Sequence, residues 1–453
     1  MRSHVAVIGA GFAGLTAAYR LYQQGYHDIE IYEARGRVGG RIFSVCDGDS
    51  VIELGGQNIP DGGDAPHLRT LAKELGLSIW EDEVEISQLF YDVETKTSFD
   101  PLQLQKEIFP PEDHARLQSR IQELANQSQN MEEVFLALFP EKGPLYRCLV
   151  SKFAAYEGGV PARVSTEAWE NLYYMLCGGM ASVHTTPIIQ RAQIEGGNSR
   201  LAIEIAKKLE KNIHYSSPLK AMGLTEKQKI LLTFEGGQKE FDKVILAIPC
   251  PVYEDIDIDP QLIPQDRLSF IQQVPYGENA KIMVPLTWDT HLPNSVVIDG
   301  MLAFFSHATD RCTFYFSGQK GCTLKAHYKD YYAEALTVLK DVYPGIQLPS
   351  GAPQIPDDNV QLKSYEGPLT HFWVDDPYVK GSYSYRAPGM MQALNTIQKY
   401  KGENVRAPYS PIGDLIFFAG EHTAIDIDLG TMEGAIESGD RAARLIMAAD
   451  QGN

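Results

Sequence analysis

Gly9-Ala10-Gly11-Phe12-Ala13-Gly14 lies between an apolar run, His4 to Ile8, and a helical pattern from Leu15 to Gln24 that Gly25 stops. A second apolar run, Ile29-Glu30-Ile31-Tyr32, ends in Glu33, 19 residues beyond Gly14. This spacing suits a dinucleotide. Gly9 permits the tight turn, Gly11 lets the backbone approach a pyrophosphate, and Gly14 lets helix and strand pack closely. The helix N-terminus, with Ala13 in its first turn, offers free N–H groups and a positive dipole end. Glu33 stands where an acid accepts hydrogen bonds from ribose hydroxyls. The glycine pattern alone is weak; with a strand before it, a helix after it and the acid in place, it specifies dinucleotide binding.

Four further segments carry chemistry-bearing residues. Glu33-Ala34-Arg35-Gly36-Arg37-Val38-Gly39-Gly40-Arg41 places glycines and three arginines directly after the acid, and a guanidinium there can neutralise a pyrophosphate. Arg37 reads equally well as a solvated surface charge. Glu53-Leu54-Gly55-Gly56-Gln57 offers small residues against which a flat ring can lie. Lys281 interrupts the strand-like run Asn279-Ala280-Lys281-Ile282-Met283-Val284, and buried lysines are rare unless paired or functional. Trp373 and Tyr383 form an aromatic pair of the kind that usually packs a core; beside a cofactor, such a face orients an amine and holds a protonated one by cation–π attraction. No Ser-His-Asp or paired-carboxylate pattern accompanies them, as expected where a cofactor does the difficult step.

Together these segments resemble the flavin-containing amine oxidase family, whose fingerprint runs from the glycine loop into a Gly-Gly-Arg motif. The resemblance extends to Ile416-Phe417-Phe418-Ala419-Gly420-Glu421 and to Gly430-Thr431-Met432-Glu433-Gly434 near the C-terminus. It implies bound FAD, with Glu33 on the adenosine ribose, Arg35 and Arg41 near the pyrophosphate, and Gly55, Gly56 and Gln57 along the flavin. It places the Leu219 backbone against adenine, Glu421 on the ribityl chain and the Met432 backbone at the pyrimidine edge. The last helix would then stabilise negative charge on the reduced ring. Lys281 matches the family's lysine that holds a water against the reactive flavin nitrogen. Tyr383 matches a wall of the substrate cage and Trp373 a neighbouring aromatic. Ser382 stands where covalent monoamine oxidases carry cysteine, so the FAD is expected to be non-covalent. Thr431 stands where they carry a second cage tyrosine, which leaves the cage half aromatic.

The elements that must position these residues define an α/β protein. The expected architecture is a Rossmann-type FAD-binding domain of three layers (ββα) with an interleaved α+β substrate-binding domain. Residues 1–80, 193–275 and 396–453 are assigned to the first, 81–192 and 276–395 to the second. Asp100 to about Arg191 reads as mostly helical. Glu195 to Leu201 opens a helix ending near Leu209, and Ile213-His214-Tyr215 and Val244 to Pro249 read as strands of the FAD domain. Glu81-Asp82-Glu83-Val84-Glu85 reads as a solvated turn or edge.

The sequence has 453 residues, 44% hydrophobic and 22% charged, which is a globular composition too long for one core. Forty basic against 59 acidic residues give −19, a sign that repels nucleic acid and anionic membranes. Six scattered cysteines without a C-x-x-C pair speak against a zinc site or disulfide framework and fit a reducing compartment. No targeting segment, tail anchor or run of roughly 20 apolar residues stands out, so a soluble, cytoplasmic protein is expected. A homodimer is among the assemblies left open.

The expected reaction is oxidation of an amine by hydride transfer to flavin, giving an imine or aldehyde and, with dioxygen, hydrogen peroxide. Gln57-Asn58-Ile59-Pro60 lacks the arginine by which L-amino acid oxidases grip an α-carboxylate, which favours an amine without one. L-Amino acid oxidase and desaturase or protoporphyrinogen-type enzymes are the alternatives on this scaffold. A non-catalytic binding protein of the GDP-dissociation-inhibitor type is more remote, because Glu33, Arg41, Lys281, Glu421 and Met432 occur together. A histone demethylase is disfavoured by the lack of an extra N-terminal domain and a long helical insertion.

Overall fold

In a computed structural model, the described residues are 2–61, 63–177, 188–287, 289, 291–306, 310–425 and 429–451. The apolar run at the N-terminus forms strand Val5–Ile8, whose first three residues are fully excluded from solvent. Burial on both faces is the signature of an interior parallel strand. It pairs in parallel with Ile29–Tyr32 on one side and Lys243–Leu246 on the other. Ile213–His214 and Ile416–Phe418 complete a five-stranded sheet. Strand order reverses beside Val5–Ile8, and ligands of open α/β sheets bind outside the strand ends at such a point.

Two further layers cover this sheet. On one face the helices Phe12–Gln23, Ser199–Lys208 and Met432–Gln451 bury their apolar sides in one core with Val5, Val7, Ile29 and Ile31. On the other, a four-stranded sheet built from Ala221–Leu224, Ile230–Phe234, Gly237–Phe241 and Asp257–Ile258 packs against Ala6, Ile8, Val244 and Leu246. Alternate residues of each central strand feed opposite cores, giving the expected ββα sandwich. The first helix begins at Phe12, three residues before the apolar periodicity suggests, because Gly11 is extended and acts as its N-cap.

The substrate side is a seven-stranded sheet in which Ala280–Pro285 lies between Leu369–His371 and Arg311–Phe316. Ala280, Ile282 and Val284 point into a core closed by the helix Leu324–Val342. The two-residue period of a strand therefore turns Lys281 to the opposite face, in an interior strand and not at an edge. Its cross-strand partners are His371 and Tyr315.

Helices Pro101–Ile108, His114–Gln127, Met131–Leu138, Pro144–Glu157 and Trp169–Leu176 form the expected helical region. The end of that stretch departs from the helical expectation: Ile188–Ile194 is a strand pairing antiparallel with Ile79–Glu85. Glu81, Asp82 and Glu83 are thus an exposed strand edge. Among the described residues, no helix is long and apolar enough to cross a membrane.

Candidate active site

A cavity of about 1670 Å³ runs from the glycine loop to the face of the seven-stranded sheet that carries Lys281. It exceeds the ~300–1,000 Å³ typical of a single small-ligand pocket, leaving room for a dinucleotide and a second molecule. Gly9, Gly11, Ala13, Glu33, Arg35, Arg41, Gly55, Gly56, Gln57, Leu219, Glu421 and Met432 line it, as do Lys281, Trp373, Tyr383 and Thr431. Gly14 does not. A Cβ there would lie 2.0 Å from the Gly9 carbonyl oxygen and 3.1 Å from Val7, so its glycine serves the helix–strand contact.

At the nucleotide end, the Glu33 carboxylate accepts from the Ala10 and Arg35 amides at 2.8 and 2.9 Å. Burial raises its pKa, while these amides and the neighbouring arginines favour the charged form. Arg35 turns its guanidinium onto Asp358 and Asp376. Arg37 departs from the surface reading. It is only 3% exposed and donates to the carbonyls of Val38, Gly40 and Ile42 at 3.1, 2.9 and 3.2 Å while pairing with Asp358. One guanidinium thus knots the Gly39-Gly40 loop. Sequence could not reveal this, because Asp358 lies 321 positions away. Arg37→Lys keeps the charge but not the fork, and should lower stability by about 1–2 kcal/mol in thermal unfolding; an unchanged midpoint would remove the clamp.

In the middle of the cavity, Glu421 accepts from Arg41 at 2.7 Å, from the Ser384 amide at 3.1 Å and from the Gly430 amide at 2.9 Å, and also from the Ser384 hydroxyl. Burial works against its charge, but Arg41 and these donors prevail and hold it at about 2. Arg41 also donates to the Ser382 carbonyl and lies over the Tyr276 ring. His422, which sequence reasoning missed, is buried and held neutral, its pKa pushed down to about 4 chiefly by burial. Its Nδ1 is 3.0 Å from the Tyr276 hydroxyl. Thr431 Oγ1 accepts from the Gly434 amide at 3.0 Å and caps the last helix. Met432 opens that helix, its side chain directly against Gly56.

At the sheet end, the Lys281 ammonium donates to the Glu53 and Gly55 carbonyls at 3.2 and 2.6 Å and to Gln57 Oε1 at 3.2 Å. Burial pushes it down to about 8 against the attraction of Glu53 and Asp61. Burial likewise lifts Glu53 to about 7, although the Asn198 amide and the Ser44 hydroxyl hold its carboxylate. Trp373 donates its indole N–H to the Leu54 carbonyl at 2.9 Å, fixing the segment that grips Lys281. The Tyr383 hydroxyl receives the Asn279 amide at 2.6 Å and faces the Ala155 and Tyr156 carbonyls at 3.1 Å each. Its ring fills a slot between Gly158 and Gly430, where an added Cβ would come within 2.9 and 3.0 Å of it. Tyr315, also unforeseen, hydrogen-bonds Tyr383 and shares the wall; its placement opposite Lys281 was not visible before the strands paired.

Among the described residues, four buried polar atoms on cavity-lining residues have no partner: Arg191 Nε at the edge strand, and Asn279 Oδ1, Ser382 Oγ and His422 Nε2 around the Tyr383 and Glu421 walls. Buried polar groups are almost always satisfied, so the last three fit a polar cofactor against the wall. A dinucleotide cradle at one end and a lysine–aromatic wall at the other define a flavoprotein oxidoreductase. Comparison with known proteins gives the family. The pattern of flavin containing amine oxidoreductases matches residues 12–447, and the chain belongs to that family. Its cofactor is FAD, and it is an oxidoreductase acting on amines. It is 26% identical to flavin-containing amine oxidase A of Canis lupus familiaris, over 98% of this chain and 85% of the relative. Identity to amine oxidase B of Homo sapiens is also 26%, covering 98% and 86%. Among solved structures, cyclohexylamine oxidase from Brevibacterium oxydans aligns over 100% of both chains with a TM-score of 0.74 and 20% identity. A putrescine oxidase bound to putrescine aligns over 99% of both with 0.70 and 21%, so these two share the fold.

Proposed function

We propose that this protein oxidises an amine lacking an α-carboxylate, with dioxygen as the final acceptor. The observation that carries the reading is the convergence of Lys281, Tyr383 and Thr431 on the cavity that begins at the glycine loop. When bound, FAD would supply the two-electron acceptor for oxidation of the carbon beside the nitrogen, with dioxygen as the final acceptor and hydrogen peroxide as its product. Glu33, Arg41 and Glu421 would hold the cofactor, and no residue of the chain is required to form a covalent bond. Tyr383 and Thr431 border the amine, one presenting a ring face and the other a small side chain. Trp373 acts through the Leu54–Gly55 segment, as a positioning residue.

Lys281 has three donors and three protein acceptors, so a water can join it only when one acceptor yields. Gln57 is the single side chain among the three and therefore the one that can turn away. By the resemblance, the segment Gln57-Asn58-Ile59-Pro60 stands where L-amino acid oxidases carry a carboxylate-gripping arginine, which supports an amine without that group.

The test is anaerobic titration of the FAD-loaded protein with monoamines, diamines and L-amino acids. Bleaching by amines, reversed by air with release of peroxide, is the expected result. Bleaching by L-amino acids alone would overturn it. In the same assay Tyr383→Ala should lower kcat/KM for amines by about tenfold, the scale of a desolvated cation–π contact. Equal rates across all amines would reduce Tyr383 to packing.

A further inference from the structure

One charged side chain of the cavity has no part in the chemistry above. Lys152 lies on the helix Pro144–Glu157 and lines the same cavity as Lys281 and Tyr383. Among the described residues, no hydrogen bond or ion pair engages its Nζ. Burial lowers its pKa, and the titratable group that acts on it, Cys148 one turn back, is itself pushed up to about 12 by burial. That thiol is neutral at ordinary pH and supplies no counter-charge.

The helix fixes where this ammonium sits. Residues 152, 155 and 156 share one side, as three- and four-residue spacing requires. Ala155 and Tyr156 offer the carbonyls that face the Tyr383 hydroxyl. Lys152 is therefore three to four residues, about 4.5–6 Å along the axis, from the Tyr383 anchor. Helical side chains lean toward the N-terminus, which carries its Nζ further from Tyr383. The neighbouring wall is apolar: Leu302 packs in one cluster with Cys148 and Ala155, against Phe304. Five residues on, at the C-terminal end of the same helix, Glu157 also lines the cavity, is held by Asn171 at 2.6 Å, and is close enough for its charge to act on Tyr383. Glu157 thus lies toward the aromatic wall, and the Lys152 amino group, with no ion pair among the described residues, lies beyond it on the same helix.

We propose that Lys152 forms an anion-accepting subsite at the distal end of the substrate cavity, so that the preferred substrate is an amine bearing a carboxylate or similar anion at the far end of its chain. The proposal rests on the amine-oxidase reading and narrows it. A second ammonium, as in a diamine, would meet Lys152 as a like charge in a poorly solvated space. A distal carboxylate would gain a charge-assisted hydrogen bond there.

The experiment combines binding with turnover. Pentanoate, which has no amine, is titrated calorimetrically into the FAD-loaded wild type, Lys152→Met and Lys152→Glu. Anaerobic flavin reduction is then compared for pentylamine, diaminopentane and ω-aminopentanoate and their shorter and longer homologues. Pentanoate should bind the wild type and weaken by about tenfold or more in both variants. The wild type should favour ω-amino carboxylates over diamines of equal length, and Lys152→Glu should reverse that order. Equal pentanoate affinity in the three proteins, no pentanoate binding to the wild type, or a wild-type preference for the diamine would overturn the proposal. Should Lys152→Glu fail to fold, Lys152→Met still decides, since it only removes the charge. If pentanoate binding depends on Lys152 while no amine reduces the flavin, the subsite stands and the amine-oxidase reading falls.

Discussion

Glu421→Gln is expected to cost the fold about 3 kcal/mol and to release FAD on dilution. The carboxylate is 4% exposed and held at about 2 against an ordinary 4.5. That difference corresponds to roughly 3 kcal/mol of preference for the charged form in the folded protein. An amide retains one acceptor for the Gly430 or Ser384 amide, but its NH₂ faces donors that have nowhere else to turn. Arg41 then stays in the cavity wall without its counter-charge, the situation in which breaking a buried pair is far more damaging than never having made it. The pH dependence has a definite sign. Because the folded pKa is depressed, the stabilisation is fully present above about 4.5 and disappears as pH falls from there through about 2. Wild-type denaturant midpoints should therefore drop across that window, and those of the variant should drop less. A variant that keeps its flavin, its midpoint and the wild-type acid profile would show that Glu421 is only a helix-side cap.

The parts of the molecule legible in sequence are those set by local rules. Val5–Ile8, the glycine loop and Ile29–Tyr32 were readable because strand parity, turn chemistry and the acid spacing agree within thirty-odd residues. Lys281 was readable because an ammonium in an apolar strand breaks that agreement. What was not legible is what distant segments do to one another. Arg37 looks like a surface charge until Asp358 and three loop carbonyls close around it. Arg35 matches a pyrophosphate-binding position, yet its guanidinium turns onto Asp358 and Asp376. Tyr315 is one of many tyrosines until the register places it opposite Lys281. His422 follows Glu421 directly, but nothing local indicates that its Nδ1 meets Tyr276 and that, among the described residues, its buried Nε2 has no partner. The end of the helical stretch departs from the helical expectation for the same reason, since Ile188–Ile194 becomes a strand only by pairing with Ile79–Glu85.

Lys281→Met should slow flavin reoxidation by dioxygen by about a hundredfold while leaving FAD bound. The scale is that of removing one preorganised charge or donor from the point where negative charge develops. Methionine approximates the length of the lysine stem, so the strand face is preserved and the loss is confined to the ammonium. FAD retention is expected because Glu33, Arg41 and Glu421, the residues that would hold the cofactor, make their bonds elsewhere, while Lys281 is bonded to Glu53, Gly55 and Gln57. Burial sets the ammonium at about 8, so in the wild type the cation is present below that pH and is lost above it. The oxygen reaction should therefore slow as pH rises through about 8, over a broad range because Glu53, lifted to about 7, titrates beside it. In Lys281→Met the slope should vanish, and the reductive half-reaction with amines should change far less than the oxidative one. That asymmetry separates charge stabilisation from disturbed packing, which would impair both halves. Stopped-flow mixing of the reduced protein with oxygenated buffer reads it directly: equal reoxidation rates in variant and wild type would leave Lys281 as a structural cation, held by three acceptors and acting on nothing beyond them.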